Sequence, residues 1–522
     1  MITPKIEMTR RQALAAMLGS AAYPAFAQKA AAPATPFSFD ALIAQMQVRA
    51  AEPYAPPAPL DTFLSGLTYD DYRKISFRPE AARWAETDLF FTASAFHPGW
   101  LFQEPVVLNE VVAGEARPLA FSTGDFAYRQ DLAGKVPADA ALSGVAGLKI
   151  RYPLNRPDIF DELITFLGAS YFRALGRGNS YGLSARGLSI NTWLDGPEEF
   201  PRFSEFWVER PEEGAHSLVL YAALDSPSVT GAYRFVISPG ADTQVDVDAH
   251  LSFRAPVAQL GIAPLTSMYY FSEHSERRFD DYRPQVHDSD ALMILRGDGD
   301  VLLRPLNNPP RVSNSYFSEA GLAQFGLIQR DRAYPDYQDA GARYHDRPSV
   351  MIEPLNAWGP GAVRLVEIPT DLEIEDNIVA FWAPETAPLA GETRHYAYRM
   401  HWGALPPAPE AVLAHVISTR SGVGGPSGVP VSNPNLRKFV VDFTAGALGT
   451  LPGDTDPTPI VTASAGILSG VVLHRVDDAA ATWRLIIDID GQDAPLIELS
   501  AHIAGFNRKL SETWLFQWVR SV

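Results

Sequence analysis

Residues 276–290 form the polar stretch best equipped for chemistry, because five carboxylates, three arginines and one histidine stand in one run. Apolar, strand-like sequence flanks this run at 267–271 and 291–295. Charged groups are rarely buried without partners, so such a run is either a solvated loop or a paired network at a binding site. The combination of carboxylates, arginines and a histidine favours a binding site over a solvated loop. Arg283 can grip oxygens with two parallel hydrogen bonds, and His287, Asp288 and Asp290 can move protons.

A second acidic stretch, residues 367–376, precedes the apolar strand candidate 378–382. Its candidate acids are Asp371, Glu373, Glu375 and Asp376. Two acidic segments far apart in sequence are what an enzyme with a carboxyl pair requires. Asp376 stands at the entry to the strand and is the most readily drawn out of water, which would raise its pKa as a general acid needs. Glu373, three residues earlier, can supply a like charge or orient a water molecule.

The composition excludes several classes of function. The chain has 522 residues and a net charge of −18, which argues against nucleic acid or an anionic membrane as the main partner. Cysteine is absent, so disulfides, thiolate nucleophiles and cysteine-ligated zinc are excluded. The 11 histidines are scattered without a tight pair or an H-E-x-x-H motif, so we predict no metal site and no cofactor.

The N-terminus predicts export. Arg10 and Arg11 precede an apolar run, and the run Ala25-Phe26-Ala27 is typical of a cleavage site. Together they indicate a twin-arginine (Tat-type) signal peptide over residues 1–27 and a periplasmic protein. The alternative is a chance arginine pair before a general secretory signal. Residues 28–36 are expected to form a linker rich in Pro and Ala.

The rest of the chain has the pattern of short strands. Between 245 and 253, apolar residues alternate strictly with polar ones, which predicts a strand with one buried face. Parallel strand-helix-strand alternation is missing, so we predict an all-β protein with a large antiparallel β-sandwich over residues 37–385. A composition break at 384–388 and several short strands after it predict a smaller immunoglobulin-like sandwich over residues 386–522.

Several long stretches resemble the periplasmic glucan biosynthesis proteins of the MdoG/OpgG and OpgD family (glycoside hydrolase family 186). They are SYFRALGRGNSYGLSARGL from residue 170, EEFPRFSEFWVERP from 198, LDSPSVTGAYRF from 224, DDYRPQVHDSD from 280, ARYHDRPSV from 342 and DNIVAFW from 376. The resemblance spans nearly the whole chain after the signal peptide. The twin-arginine signal is more similar to the OpgD branch than to the OpgG branch.

The resemblance implies a large galactose-mutarotase-like β-sandwich, a C-terminal immunoglobulin-like domain, and a role in osmoregulated periplasmic glucans with a β-1,2-linked backbone. Members of this family include inverting endo-β-1,2-glucanases, and some relatives transfer the glycosyl group and cyclise the chain instead. The family's acid lies in the segment that matches 373–376, where we favour Asp376, and its base in the segment that matches Asp288. Ala291 departs from the Gly expected after H-D-S-D.

Five side chains of the polar segments are predicted to contact the glucan: Arg283, His287, Asp290, Arg343 and Tyr344. The structural alternative is that Arg283 pairs with Asp280 or Asp281. Asp288 and Asp290 are expected to titrate as coupled neighbours. A non-catalytic scaffold for a membrane-bound glucan synthase and a purely structural protein are the competing functions. Beside the glucan, the candidate partners are that synthase and a second copy of the chain in a homodimer.

Overall fold

The computed structural model describes residues 34–58, 60, 62–85, 88–275, 279–405, 412–426, 428–430, 433–452, 455–477 and 481–520. The predicted signal peptide and all but the last residues of the predicted linker lie outside these ranges, as does the start of the polar stretch, residues 276–278. Within them β-strands are by far the main regular structure and helices are few and short, so the all-β prediction is confirmed.

The first sheet is the larger of two that form the N-terminal sandwich. Its strands lie in this spatial order: Thr35–Pro36, Glu115–Pro118, Val107–Val112, Arg202–Glu209, Leu218–Asp225, Val229–Ser238, Thr243–Phe253, Thr393–Gly403, Ser349–Pro354, Leu322–Ile328, Ala291–Arg296, Val301–Pro305, Thr513–Val519, Leu496–Gly505 and Thr458–Ala463, with Arg508–Lys509 paired to Leu496–Gly505. Neighbouring strands are antiparallel except at two places, where Arg202–Glu209 meets Val107–Val112 and where Val301–Pro305 meets Thr513–Val519.

The second sheet faces the first. Its strands follow the order Ser313–Glu319, Gly361–Glu367, Ile378–Pro384, Leu260–Ser267, Ser184–Arg186, Tyr171–Ala174, Ile159–Leu167, Gly147–Arg156 and Thr92–Phe96, with Leu188–Ile190 also paired to Leu260–Ser267. Aromatic rings join the two layers: Phe166 of the second sheet lies 5.3 Å from Phe206 and from Phe235 of the first, between ring centroids. Apolar side chains of both sheets thus share one core, which makes the pair a sandwich.

Strand Thr243–Phe253 confirms the strand that was predicted from the alternation of apolar and polar residues. Val245, Val247, Ala249 and Leu251 are buried in the core, and the polar residues between them face outward. On that outer face lies the helix Phe39–Ala50, whose N-terminal cap is the Ser38 side chain accepting from the backbone N–H of Ala41.

The other elements are short. Two-stranded sheets join Tyr269–Phe271 to Val286–His287 and Ile75–Phe77 to Phe126–Tyr128. Single helical turns lie at Thr62–Ser65, Tyr69–Tyr72, Tyr334–Tyr337 and Gly446–Gly449, and 3₁₀ turns at Pro79–Ala81, Thr123–Asp125, Gln130–Gly134 and Tyr344–Asp346.

The domain boundary at residue 385 stays a prediction, but the next strand along the chain belongs to the first sheet. Strand Thr393–Gly403 lies inside the first sheet, paired on one side with Thr243–Phe253 and on the other with Ser349–Pro354. The Pro-rich residues 384–388 connect the second sheet, through Ile378–Pro384, to the first sheet. The composition break therefore coincides with a crossing between the two layers of one sandwich.

The C-terminal unit packs a four-stranded sheet, in the order His415–Val423, Leu436–Thr444, Thr482–Asp490 and Ile467–Asp477, against the last strands of the first sheet. Trp514, Phe516 and Ile487 belong to its core, which also takes in Leu303 and Met351 of the N-terminal unit. The two units therefore share the first sheet and part of one hydrophobic core.

Candidate active site

Two carboxyl-bearing segments are anchored to consecutive residues at the end of strand Leu260–Ser267. The backbone N–H of Asp288 donates to the carbonyl of Met268 at 2.8 Å. The Asn377 side chain accepts from the backbone N–H of Tyr269 at 2.8 Å and donates to its carbonyl at 2.9 Å. Asp376, the neighbour of Asn377, is thereby brought beside Asp288 although the two come from different acidic stretches.

Asp288 is almost fully buried, with 5% of its surface exposed. Its carboxylate accepts a hydrogen bond from the Arg347 guanidinium. Burial is the largest influence on this carboxyl, and together with repulsion from Asp376 when that carboxyl is ionised it raises the pKa of Asp288 to about 6. The positive charges of Arg347 and Arg173 act in the opposite direction and keep the shift from being larger.

Asp376 lies on the solvent side of the same site. Its side chain reaches solvent, yet the surrounding protein desolvates the carboxyl and raises its pKa, opposed by Arg173, Arg186 and Arg347. Arg173 and Arg347 act on both aspartates. The two carboxyls therefore share one electrostatic environment, in which the charge of Asp376 disfavours ionisation of Asp288.

Glu373 is held as a carboxylate and does not have the properties of an acid. The Arg283 guanidinium donates to both of its oxygens, at 2.9 and 2.7 Å, and the Tyr344 hydroxyl donates to one of them. The hydrogen bonds from Arg283 lower the pKa of Glu373. Glu373 thus fixes the position of the 370–376 loop, and the carboxyl of this loop whose pKa is raised is that of Asp376.

Arg283 is fully engaged by carboxylates, which corrects its prediction as a glucan contact. Besides Glu373, it donates to Asp281 at 2.7 Å and to Asp339 at 2.8 Å. Its side chain is only 11% exposed. The structure shows the alternative, in which Arg283 pairs with Asp281. Arg283 also pairs with two further carboxylates. Arg283 therefore ties three loops together beneath the site.

His287 is also misassigned as a glucan contact, because it is completely buried. Its Nδ1 faces the side-chain oxygen of Gln329 at 2.8 Å, and its Nε2 faces that of Gln285 at 3.1 Å. The ring stacks on Tyr269 with centroids 5.6 Å apart. Burial lowers the pKa of His287 to about 3, and the ring is part of the core.

Asp290 faces a different place from Asp288. It lines a cavity against the C-terminal strand His415–Val423, and one carboxylate oxygen accepts from the backbone N–H of Arg330 at 2.6 Å. Burial and the charge of Asp331 raise the pKa of Asp290 to about 7. The negative charge that raises the pKa is that of Asp331 for Asp290 and that of Asp376 for Asp288. Coupling of Asp290 to Asp288 and contact of Asp290 with the glucan stay predictions.

Tyr344 and Arg343 differ in position although they are adjacent. Tyr344 is 2% exposed, and the Arg347 guanidinium lies 4.2 Å from its ring centroid, so its ring supports the cation that binds Asp288. Arg343 has a left-handed backbone with φ of 50° and an exposed side chain that pairs with Asp346. Glucan contact by either residue stays a prediction.

The arginines that tune the two aspartates were missed in sequence. Arg173 lies on strand Tyr171–Ala174 and donates to the Ser184 hydroxyl at 2.6 Å. Arg347 follows the 3₁₀ turn Tyr344–Asp346. Both lie inside stretches that carry the family resemblance, and this was the one feature of the sequence that could have indicated them. Their types alone do not distinguish them from the other arginines of those stretches.

Replacing Arg283 by Met should lower the free energy of unfolding by about 2–3 kcal/mol, because three carboxylates then lose their common cation. The value is below that of a fully buried ion pair because Glu373 is a third exposed. Urea unfolding measures the change. Arg343→Met, which removes an exposed arginine with one partner, is the control and should cost less than about 0.5 kcal/mol. Equal effects of the two substitutions would contradict a central role for Arg283.

Comparisons with known proteins place this architecture in a family. The family model described as "Periplasmic glucan biosynthesis protein, MdoG" matches residues 37–518. "Glucans biosynthesis protein G" of Cereibacter sphaeroides is 52% identical over 99% of both chains. The proteins of that name from Rhodopseudomonas palustris and Shewanella frigidimarina are each 42% identical, covering 98% and 92% of this chain and 100% and 84% of their own. The OpgD-branch assignment stays a prediction.

Solved structures are similar only at a low level. The GH36 alpha-galactosidase AgaA of Geobacillus stearothermophilus has 8% identity and a TM-score of 0.25, covering 49% of this chain and 39% of its own. The GalM/aldose epimerase homologue of C. elegans has 9% identity and a TM-score of 0.18, over 49% and 91%. Among the described residues, no helix has the length and apolar character needed to cross a membrane. The match along nearly the whole chain and the high identity to its relatives show that this chain belongs to the MdoG family of periplasmic glucan biosynthesis proteins.

Proposed function

We propose that this protein acts in the periplasm on the β-1,2-glucan backbone of osmoregulated glucans, as an inverting endo-glucanase. The observation that carries the proposal is the convergence of Asp288 and Asp376, two carboxyls with raised pKa that share the charges of Arg173 and Arg347. An inverting glycosidase needs one carboxyl that holds a proton near neutral pH and a second that accepts one. Membership in a glucan biosynthesis family supplies the substrate class.

The proposed roles follow from the surroundings of the two groups. Asp376 carries the proton, because it is desolvated and yet open to the solvent side where the glycosidic oxygen would enter. Asp288 is the base, because Arg347 binds its carboxylate form directly. As the glycosidic C–O bond breaks, Asp376 protonates the leaving oxygen. A water oxygen bonds to the anomeric carbon from the opposite face, and its proton passes to Asp288.

The experiment is incubation of the purified protein with linear β-1,2-glucan in water enriched in ¹⁸O, followed by mass spectrometry. Hydrolysis shortens the glucan and places one ¹⁸O at each new reducing end. Transfer to a sugar hydroxyl, including cyclisation, rearranges chain lengths without incorporating the label. Unchanged glucan that nevertheless binds would replace the proposal with a scaffold for a membrane-bound synthase.

The rate should fall as pH is lowered through about 6, by about tenfold for each pH unit further down. The sign follows from the role of Asp288: the base must be ionised to accept a proton, and its pKa is raised to about 6. Measuring kcat/KM on linear β-1,2-glucan between about pH 4 and pH 8 gives the acidic limb. A rate that stays level down to about pH 4, the usual range of an aspartate, would contradict this role for Asp288.

A further inference from the structure

Two histidines and an aspartate meet on the outer face of the first sheet, on adjacent strands. His250 on strand Thr243–Phe253 lies directly opposite His395 on strand Thr393–Gly403. Asp248 precedes His250 by two residues and therefore points to the same face. Nothing in the glucan site uses these residues. Sequence separation hides the pair, which exists only because the two strands are neighbours in the sheet.

The ligand atoms of this trio are already spaced for a metal ion. Asp248 Oδ1 lies 2.7 Å from His395 Nε2 and 3.2 Å from His250 Nε2. All three ligand atoms lie within 4.8 Å of one another. Zinc bonds of about 2.0–2.2 Å in a tetrahedral site put neighbouring ligand atoms about 3.3 Å apart. Small rotations of the side chains are enough to admit an ion between them.

The site has an entry path and an ordered surrounding. Side-chain exposures are 35% for Asp248, 32% for His250 and 46% for His395, so an ion can reach all three from solvent. The imidazole rings lie nearly parallel, with centroids 4.2 Å apart and 13° between their planes. Phe39, the first residue of the helix Phe39–Ala50, contacts His250 edge to face at 5.6 Å and limits the movement of that ring.

We propose that Asp248, His250 and His395 bind a zinc ion, with the fourth position taken by water. Two imidazole nitrogens and one carboxylate oxygen are ligands that suit zinc and disfavour Ca²⁺ and Mg²⁺, which prefer oxygen ligands throughout. Three protein ligands on a solvent-facing surface leave one coordination position open. The ion would also link two central strands of the first sheet, from positions far apart in sequence.

The test uses the full mature chain without a histidine tag, stripped with a chelator and titrated with Zn²⁺ by calorimetry. One zinc ion per chain and a raised melting temperature are expected. His250→Ala and His395→Ala should each weaken zinc binding by at least about a hundredfold, more than loss of an outer-sphere partner usually costs. Co²⁺ provides a second readout, because tetrahedral coordination gives visible absorption that both variants should lose.

His401→Ala is the matched control. His401 lies on the same strand and the same face as His395 and has a single carboxylate partner, Glu353, at 3.0 Å. This variant should bind zinc as the unchanged protein does. Failure of the unchanged protein to bind one zinc ion, or equal binding by the His250→Ala and His395→Ala variants, would overturn the proposal. Since none of these measurements uses the glucan, the outcome is independent of the proposed enzymatic activity.

Discussion

We expect Asp376→Asn to lower the turnover number on linear β-1,2-glucan by about a thousandfold or more, within the range expected for loss of a general acid. An amide has nearly the same shape as a carboxylic acid but cannot give a proton to the glycosidic oxygen. Asn377, whose side chain holds the segment to Tyr269, is unchanged, so the loop keeps its position. Glucan affinity and the melting temperature should therefore change little, and equilibrium binding and thermal unfolding check both.

Glu375→Gln is the matched control for this prediction. Glu375 is the adjacent carboxylate of the same loop, exposed to solvent and engaged by the Thr370 hydroxyl at 2.7 Å. Its replacement should change the turnover number only a few-fold, because it lies outside the shared environment of Asp288 and Asp376. If Glu375→Gln removes the activity and Asp376→Asn retains it, the acid has been assigned to the wrong residue.

Asp288→Asn should also reduce turnover by about a thousandfold, because water loses the group that accepts its proton. The acidic limb of the pH profile should disappear from whatever activity remains. This variant leaves the Arg347 guanidinium without its carboxylate, so some loss of stability is expected alongside the loss of activity. Binding of linear glucan, measured at a temperature well below unfolding, should persist and separates the two effects.

Asp290→Asn controls for removing a partly buried carboxylate from the same segment. The Asp290 carboxyl belongs to the cavity beside strand His415–Val423, and its raised pKa reflects burial and Asp331. We expect turnover close to that of the unchanged protein. Loss of activity in both variants, with folding intact, would return Asp290 to the site and contradict the separation of the two aspartates seen in the structure.

Local sequence pattern was sufficient for single elements but not for the pairing between them. The alternation at 245–253 correctly predicted a strand with one buried face. Its neighbour in the sheet, Thr393–Gly403, lies beyond a Pro-rich segment that was interpreted as a domain boundary. Composition cannot distinguish a chain that leaves a domain from one that crosses between two layers, because both require a break in regular structure.

The candidate site was likewise predicted only in part. Asp376 was selected because it adjoins a strand-like run, and Asp288 because its segment matches the one that holds the base in the family that the chain resembles. The structure brings the two segments together at Met268 and Tyr269. Arg283 and His287 were misassigned because their partners come from elsewhere in the chain, including Asp339 and Gln329. Residue type shows what a side chain can do, but distant partners decide whether it is free to do it.

The parallel junction in the first sheet has a consequence for how the chain folds. Strand Val301–Pro305 pairs with Thr513–Val519, with Leu302 opposite Thr513. During synthesis this central strand therefore has one unpaired edge until the last residues of the chain have been made. Until then its edge and the surface that Trp514 covers remain open to aggregation. Long-range closure of this kind slows folding. Loss of the 513–519 segment by proteolysis would expose the interiors of both units at once.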